Sequence, residues 1–203
     1  MSYKKKICIL ELGVGNFVSI KGRIEKLEYK VMISDKPKII DNSDILIIPG
    51  VGSAKFLMKK IHDKKLILSI KKFSKNKTKK IIGFCAGMQI MSKYSEEGNV
   101  KCLSLINSKV IKIKTKNSWE IPNIGFRTIL NKKKYFKDSS NFYFNHSFKM
   151  IVNKKIAAKK FYINYLKQKI LAMFIYKNIY GIQFHPERSG KNGLDLLNKV
   201  LDN

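Results

Sequence analysis

Acidic side chains are scarce in this chain: 14 Asp and Glu stand against 42 Lys and Arg, a formal net charge of +28. A surplus of that size ordinarily points to nucleic acid or another polyanion. Arginine is nearly missing too, present only as Arg23, Arg127 and Arg188, and the lysines are spread along the whole sequence. A dedicated binder clusters its charge on one face or interleaves arginine with aromatics, so no specific nucleic-acid partner is expected. The abundance of Lys, Ile and Asn reads as codon bias of an AT-rich genome, a hypothesis that ordinary lysine content in neighbouring genes would refute. Nonspecific polyanion binding at low salt still follows, because phosphate contacts need no dedicated site.

Other absences narrow the class further. Three cysteines, an odd number without framework spacing, suit a reducing compartment and a cytoplasmic protein. No Cys/His set has zinc-ligand spacing, so neither metal nor cofactor is expected. The apolar run after the basic Met1 to Lys6 stretch ends at Glu11, too short for a secretory core. Ile170 to Tyr176 is the longest comparable run, far below the roughly 20 residues that span a membrane. With four prolines and no Pro-rich linker, residues 1–203 read as one domain. Gly13-Val14-Gly15-Asn16 lacks the third glycine of a dinucleotide fingerprint and has no Walker lysine, which leaves it a structural turn.

Against those absences stands an alternation of strand and helix patterns. Lys5 to Leu10, Tyr29 to Ser34 and Asp44 to Ile48 predict strands, and Phe17 to Leu27, Ala54 to His62 and Lys64 to Phe73 predict helices. The order implies an α/β fold with a mostly parallel central sheet flanked by helices, whose sites gather at the carboxyl ends of the strands. Short β-like runs between Leu103 and Phe184 predict a β meander added to that sheet, and Gly193 to Leu201 predicts a closing helix.

Two segments carry chemistry. Ile81-Ile82-Gly83-Phe84-Cys85-Ala86-Gly87-Met88-Gln89 reads as strand, sharp turn and helix, with glycines flanking a thiol at the apex. A thiol there meets the positive end of a helix, which favours the thiolate, and the Ala86 N–H points toward an oxyanion formed by attack. The competing reading of any single cysteine is an inert core residue. In Gln183-Phe184-His185-Pro186-Glu187-Arg188, Pro186 turns the chain so that Glu187 can fold back on the imidazole. A carboxylate on one ring nitrogen sets the tautomer and leaves the other nitrogen to act as a base.

Together these two segments resemble the signatures of class I glutamine amidotransferases, proteins of flavodoxin-like fold. Pro49-Gly50-Val51-Gly52-Ser53, Ser95-Glu96-Glu97-Gly98, Tyr143-Phe144-Asn145-His146-Ser147 and Glu187-Arg188-Ser189-Gly190 are similar to the glutaminase subunits of imidazole glycerol phosphate synthase. The resemblance implies hydrolysis of L-glutamine to glutamate, with ammonia passed to a (β/α)8-barrel cyclase or synthase in a heterodimer. It implies Cys85 as nucleophile, His185 as proton shuttle and Glu187 as its holder. It also implies oxyanion donors at Ala86 and at Val51 or Gly52, and glutamine contacts from Gln89, Glu97, Ser147 and Phe148. His146 is expected to be hydrogen-bonded and structural.

Departures fall in Asn123-Ile124-Gly125-Phe126-Arg127, where the family carries a tryptophan and a neutral amide at the last two positions. Asn123, Phe126, Arg127 and Arg188 are therefore expected at a diverged partner interface. That divergence keeps open a second assignment, a paralogue feeding ammonia to a surface-sugar amidotransferase. A third, of another class, is a basic polyanion-binding module whose elbow cysteine is inert.

Overall fold

The parallel core is built by strands whose alternate residues enter two separate hydrophobic layers. In the computed structural model, which describes residues 5–130, 135–136 and 140–202, the first half runs β1 (Lys6–Leu10), α1 (Phe17–Glu25), β2 (Lys30–Ser34), α2 (Pro37–Asp41), β3 (Ile45–Ile48), α3 (Ala54–Asp63), α4 (Ile67–Lys75), β4 (Lys80–Phe84) and the short α5 (Ala86–Gln89). Residues 1–4 of the basic N-terminal stretch lie outside the described residues. Ile7, Ile9, Ile45, Ile47, Ile82 and Phe84 enter one layer, and Cys8, Leu10, Leu46, Ile48 and Ile81 enter the other. A strand buried on both faces must be apolar at every position, which is why Ile45-Leu46-Ile47-Ile48 shows no polar alternation.

The second half follows as β5 (Tyr94–Ser95), β6 (Val100–Lys101), β7 (Ser108–Lys112), β8 (Asn123–Thr128), β9 (Asn141–His146), β10 (Phe148–Val152), β11 (Lys159–Tyr165), β12 (Gln168–Tyr176), β13 (Ile179–Ile182) and α6 (Gly190–Asp202). The main sheet has the order β11-β12-β13-β4-β3-β1-β2, parallel from β13 to β2 and antiparallel where β12 and β11 are added. Apolar residues of α1 and α6 pack in one layer, and those of α3 and α4 in the other.

Two expectations need correction. The meander on the main sheet comprises only β11 to β13; β10-β7-β5-β6 form a second sheet and β8-β9 a separate ribbon. Periodicity identifies a strand but not its partner, because pairing is set by contacts distant in sequence. The helix predicted from Lys64 starts at Ile67, since Lys64 caps α3 and Lys65 takes φ 55°, which breaks the helical path. The pattern reading also passes over α2, too short for a helical period to show, where Pro37 supplies the preset φ of a first turn.

At the amino-terminal edge of the sheet, Lys80 is buried and its Nζ donates to the carbonyls of Val200 and Leu201, satisfying the end of α6. Burial pushes its pKa down to about 8.

Candidate active site

Cys85 follows the fully buried β4 and holds φ 48° and ψ −114°, a region that L residues rarely occupy. Its N–H continues the parallel ladder by donating to the Ile182 carbonyl at 2.7 Å. The turn is clamped from the neighbouring loop: a Cβ on Gly50 would lie 2.1 Å from the Gly87 nitrogen, and one on Gly87 would lie 2.0 Å from the Ile48 carbonyl oxygen. Only glycines permit that approach, which brings the Pro49 to Gly52 turn against the nucleophile's backbone. The helix expected after the elbow is a single turn, Ala86–Gln89. Few aligned peptide dipoles are summed there, so what it offers is local: N–H groups at its first positions with no partner inside the helix.

His185 reaches the thiol from β13, the strand beside β4. Its backbone N–H donates to Tyr143 at 2.8 Å and its carbonyl accepts from Ser189 Oγ at 2.6 Å, so the residue is fixed on both sides. The chain turns through a short 3-10 segment, Pro186–Arg188, which returns the Glu187 carboxylate to the ring, with Nδ1 2.9 Å from Oε1. Burial alone would lower the pKa of His185, but hydrogen bonds to Cys85 and Glu187 outweigh it and raise the pKa to about 10. The ring therefore carries its charge between a sulfur and a carboxylate. Glu187 Oε2 is buried without a hydrogen-bond partner among the described residues, which leaves the imidazole as the main compensation for that charge.

These groups face a cleft of about 390 Å³ that Cys85, His185, Val51, Gly52, Glu97, Ser147 and Arg188 help to line. Such a volume suits a small-molecule ligand. Glu97 accepts from the Ala54 N–H at 2.7 Å, capping α3, and burial raises its pKa against that bond. The structure does not put Gln89 or Phe148 on the wall. Gln89 is buried and its Nε2 donates to the Phe148 carbonyl and to Gln183 Oε1, each at 3.0 Å.

His146 lines the cleft too, as do Asn16, Pro122 and Asn145, which were not expected there. Asn16 ends the Gly13-Val14-Gly15 turn, and its position after β1, at the strands' carboxyl ends, was the available signal. His146 has the expected bonded character: Nδ1 lies 2.7 Å from the Phe148 carbonyl and Nε2 lies 3.1 Å from Asn123 Nδ2. Burial lowers its pKa to about 4, so the ring is neutral at ordinary pH.

The expected interface residues separate into two groups. Asn123 is fully buried, bonded to His146 and accepting from Arg127 Nε at 3.1 Å, so it is a support and not a docking contact. Arg127 is half-buried and folds along its own strand. Its Nη atoms donate to the carbonyls of Phe126 at 2.9 Å and Ile124 at 3.0 Å, and its guanidinium lies over Tyr165. Gly125 in the same strand takes a positive φ, +115°. Phe126, by contrast, is 56% exposed and meets Tyr143 edge-on, while Arg188 is exposed with its guanidinium 4.0 Å from the same ring. A ring-and-cation surface thus adjoins the mouth of the cleft.

Cys8 and Cys102 are buried and free, and burial raises both pKa values, that of Cys8 to about 11. Among the described residues, no group of three His, Cys, Asp or Glu side chains could hold a metal ion, and no helix is long and apolar enough to cross a membrane.

The model of the family described as glutamine amidotransferase class-I matches residues 9–202. The chain is 37% identical over 204 residues to "Imidazole glycerol phosphate synthase subunit HisH" of Mannheimia succiniciproducens, covering 96% of this chain and 98% of that one. It is 36% identical to the protein of the same name from Staphylococcus aureus, with 96% of each covered. Among solved structures, that of a glutamine amidotransferase matches with a TM-score of 0.75 at 14% identity, over 97% of this chain and 99% of that one. The structure of PurLQS from Thermotoga maritima matches with a TM-score of 0.71 at 17% identity, over 98% of each. With the family's match running nearly end to end over a thiol, an imidazole and a carboxylate gathered at one cleft, the chain belongs to the class-I glutamine amidotransferases.

Proposed function

We propose that the chain is the glutaminase subunit of an imidazole glycerol phosphate synthase, acting in histidine biosynthesis as a single cytoplasmic domain. It hydrolyses L-glutamine and passes ammonia to a (β/α)8-barrel cyclase in a heterodimer. The observation that carries this reading is that Cys85 and His185 line one open cleft, with Glu187 bonded to the far side of the ring. The basic-module alternative needs Cys85 enclosed and inert, and the thiol instead borders that cleft.

The reaction divides into two displacements. The Cys85 thiolate attacks the carboxamide carbon, and the resulting oxyanion is held by backbone N–H groups of Ala86 and of Val51 or Gly52. His185 gives its proton to the departing nitrogen, so the C–N bond breaks and ammonia leaves behind a thioester. Water then attacks the thioester carbon while His185 takes its proton, the C–S bond breaks, glutamate leaves and the thiolate beside a charged His185 is restored. Glu97 and Ser147, on the cleft wall, suit the ammonium and carboxylate ends of glutamine respectively. Gln89 is buried behind that wall, so its contribution to substrate is indirect.

The sugar-amidotransferase alternative draws on the altered segment from Asn123 to Arg127. With Asn123 buried, the outward part of that segment is Ile124, Phe126 and the half-exposed Arg127, and the relatives' names favour the histidine pathway. The test is glutamate release from glutamine by the purified chain, alone and with a barrel cyclase and its ligand. Release should depend on Cys85, persist when surface lysines are replaced, and rise when the cyclase is present. A chain that neither binds the cyclase nor releases glutamate in its presence would overturn the assignment.

A further inference from the structure

Gln183 is fully buried and has no place in the scheme above, yet it is the next residue after the Ile182↔Phe84 pair of the parallel β13–β4 ladder and so stands beside Cys85. Its Nε2 lies 3.8 Å from Cys85 Sγ. We propose that Gln183 is a positioning residue for the nucleophile, holding an N–H toward the Cys85 thiolate, with Gln89 and the Phe148 carbonyl setting its direction. The proposal rests on Cys85 being the nucleophile and adds a residue that the scheme does not use.

The direction of the amide follows from groups whose polarity has no alternative. A backbone carbonyl can only accept, so the Phe148 oxygen requires the amide nitrogen of Gln89 to face it. That same nitrogen faces Gln183, so Gln183 must present its oxygen to Gln89 and its nitrogen to the sulfur. The opposite end of the network agrees. Arg127 Nε can only donate, which turns the Asn123 oxygen toward it and the Asn123 nitrogen toward His146 Nε2; Nδ1–H of His146 then donates to the same Phe148 carbonyl. Reversing either glutamine would set oxygen against oxygen or nitrogen against nitrogen in a buried site.

The sulfur stands between opposing influences. The Asn145 carbonyl, 3.6 Å away on β9, accepts from the thiol and favours its protonated form. The Gln183 N–H and the charged His185 ring favour the thiolate. Glu97, His146 and Arg188 line the same cleft, and the Glu187 carboxylate stands behind the His185 ring. The Gln183 backbone N–H is anchored to Ala172 at 2.8 Å on β12, so the donor is placed by the sheet itself.

The test is the rate of Cys85 alkylation by iodoacetamide across pH, read by mass spectrometry on the full chain, with circular dichroism to verify folding. Gln183→Leu should move the pH midpoint of alkylation upward by about one unit, the scale of one N–H bond to an anion. Gln89→Leu, which leaves the direction of Gln183 unset, should move it the same way by less. A folded Gln183→Leu chain with an unchanged midpoint overturns the proposal. Should that variant fail to fold, an unchanged midpoint in Gln89→Leu does so in its place. Alkylation needs no glutamine turnover, so an unshifted midpoint with full glutaminase activity removes this inference alone. A shifted midpoint in Gln183→Leu, with no glutamate release by the wild type even beside the cyclase, removes the functional assignment and leaves only the Gln183–Cys85 contact standing.

Discussion

The Nδ1 atom of His185 lies 2.9 Å from Oε1 of Glu187, across a single proline, and both side chains are buried. Adjacent peptide units in an extended strand could not close that contact; the 3-10 turn begun by Pro186 does. The carboxylate thereby fixes which ring nitrogen faces the sulfur, and the imidazole charge offsets a carboxylate whose other oxygen lacks a partner among the described residues.

Replacing that carboxylate by its neutral isostere separates charge from shape. Glu187→Gln should fold normally, lower the His185 pKa from about 10, and reduce kcat about 10²- to 10⁴-fold, the usual range for general acid–base assistance. Imidazole NMR titration and glutamate release measure the two effects; an unchanged kcat removes Glu187 from the mechanism.

The same pair makes a pH-dependent contribution to stability. The folded pKa of His185 is raised, so its contribution is fully present below the ordinary value of 6.5 and is lost as pH rises through about 10. Cys85→Ala removes one of the two influences that raise it, so in that variant the contribution should be smaller and its loss complete at a lower pH. Melting temperature against pH for the two chains provides the comparison.

Lys80 has the opposite sign. Its folded pKa is depressed to about 8 from 10.5, so its contribution is present above 10.5 and is lost as pH falls through about 8. The stability of the wild type relative to Lys80→Met should therefore increase between those values. A difference that stays flat over the window would show that the ammonium titrates normally.

At the elbow, Cys85→Ala should abolish glutamate release while retaining the backbone strain, because nucleophile and base act as one unit. Cys85→Gly should be equally inactive but more stable than Cys85→Ala by about 1 kcal/mol, since glycine accepts φ 48° without a Cβ penalty. Urea denaturation of the two variants tests the ordering. Gly50→Ala is expected to be the damaging change at this turn, as its Cβ meets backbone and not a flexible side chain.

Phe126, exposed and edge-on to Tyr143, should matter for docking and little for folding. Phe126→Ala is expected to alter stability by no more than about 0.5 kcal/mol. If the ring anchors the interface, it should weaken cyclase binding about tenfold or more. Titration calorimetry with the cyclase gives the answer, and wild-type affinity would exclude Phe126 from the interface.

The parallel half of the fold was legible because strands buried on both faces are written as continuous apolar runs and their helices as amphipathic stretches. The elbow and the His-Pro-Glu turn were legible because each packs its chemistry into a few consecutive residues. The assortment of the later strands into three sheets was not, since Ser108 to Tyr176 carries β pattern without any local mark of partner. Asn123 was misplaced for a related reason: a polar residue in a β segment looks alike whether it faces a partner protein or an inner hydrogen-bond network.

Sequence by itself determined the thiol, the imidazole and the carboxylate, the turns that carry them and the strands that precede them, because these depend on neighbours along the chain. Tertiary structure decided that β13 lies beside β4 in a register that sets His185 and Gln183 around Cys85, and that Gln89 faces a carbonyl instead of the cleft. Those relations join residues 59 positions apart for Gln89 and Phe148 and 98 apart for Gln183 and Cys85. The pairing of strands and the closing of buried hydrogen bonds settle them, and no local pattern encodes either.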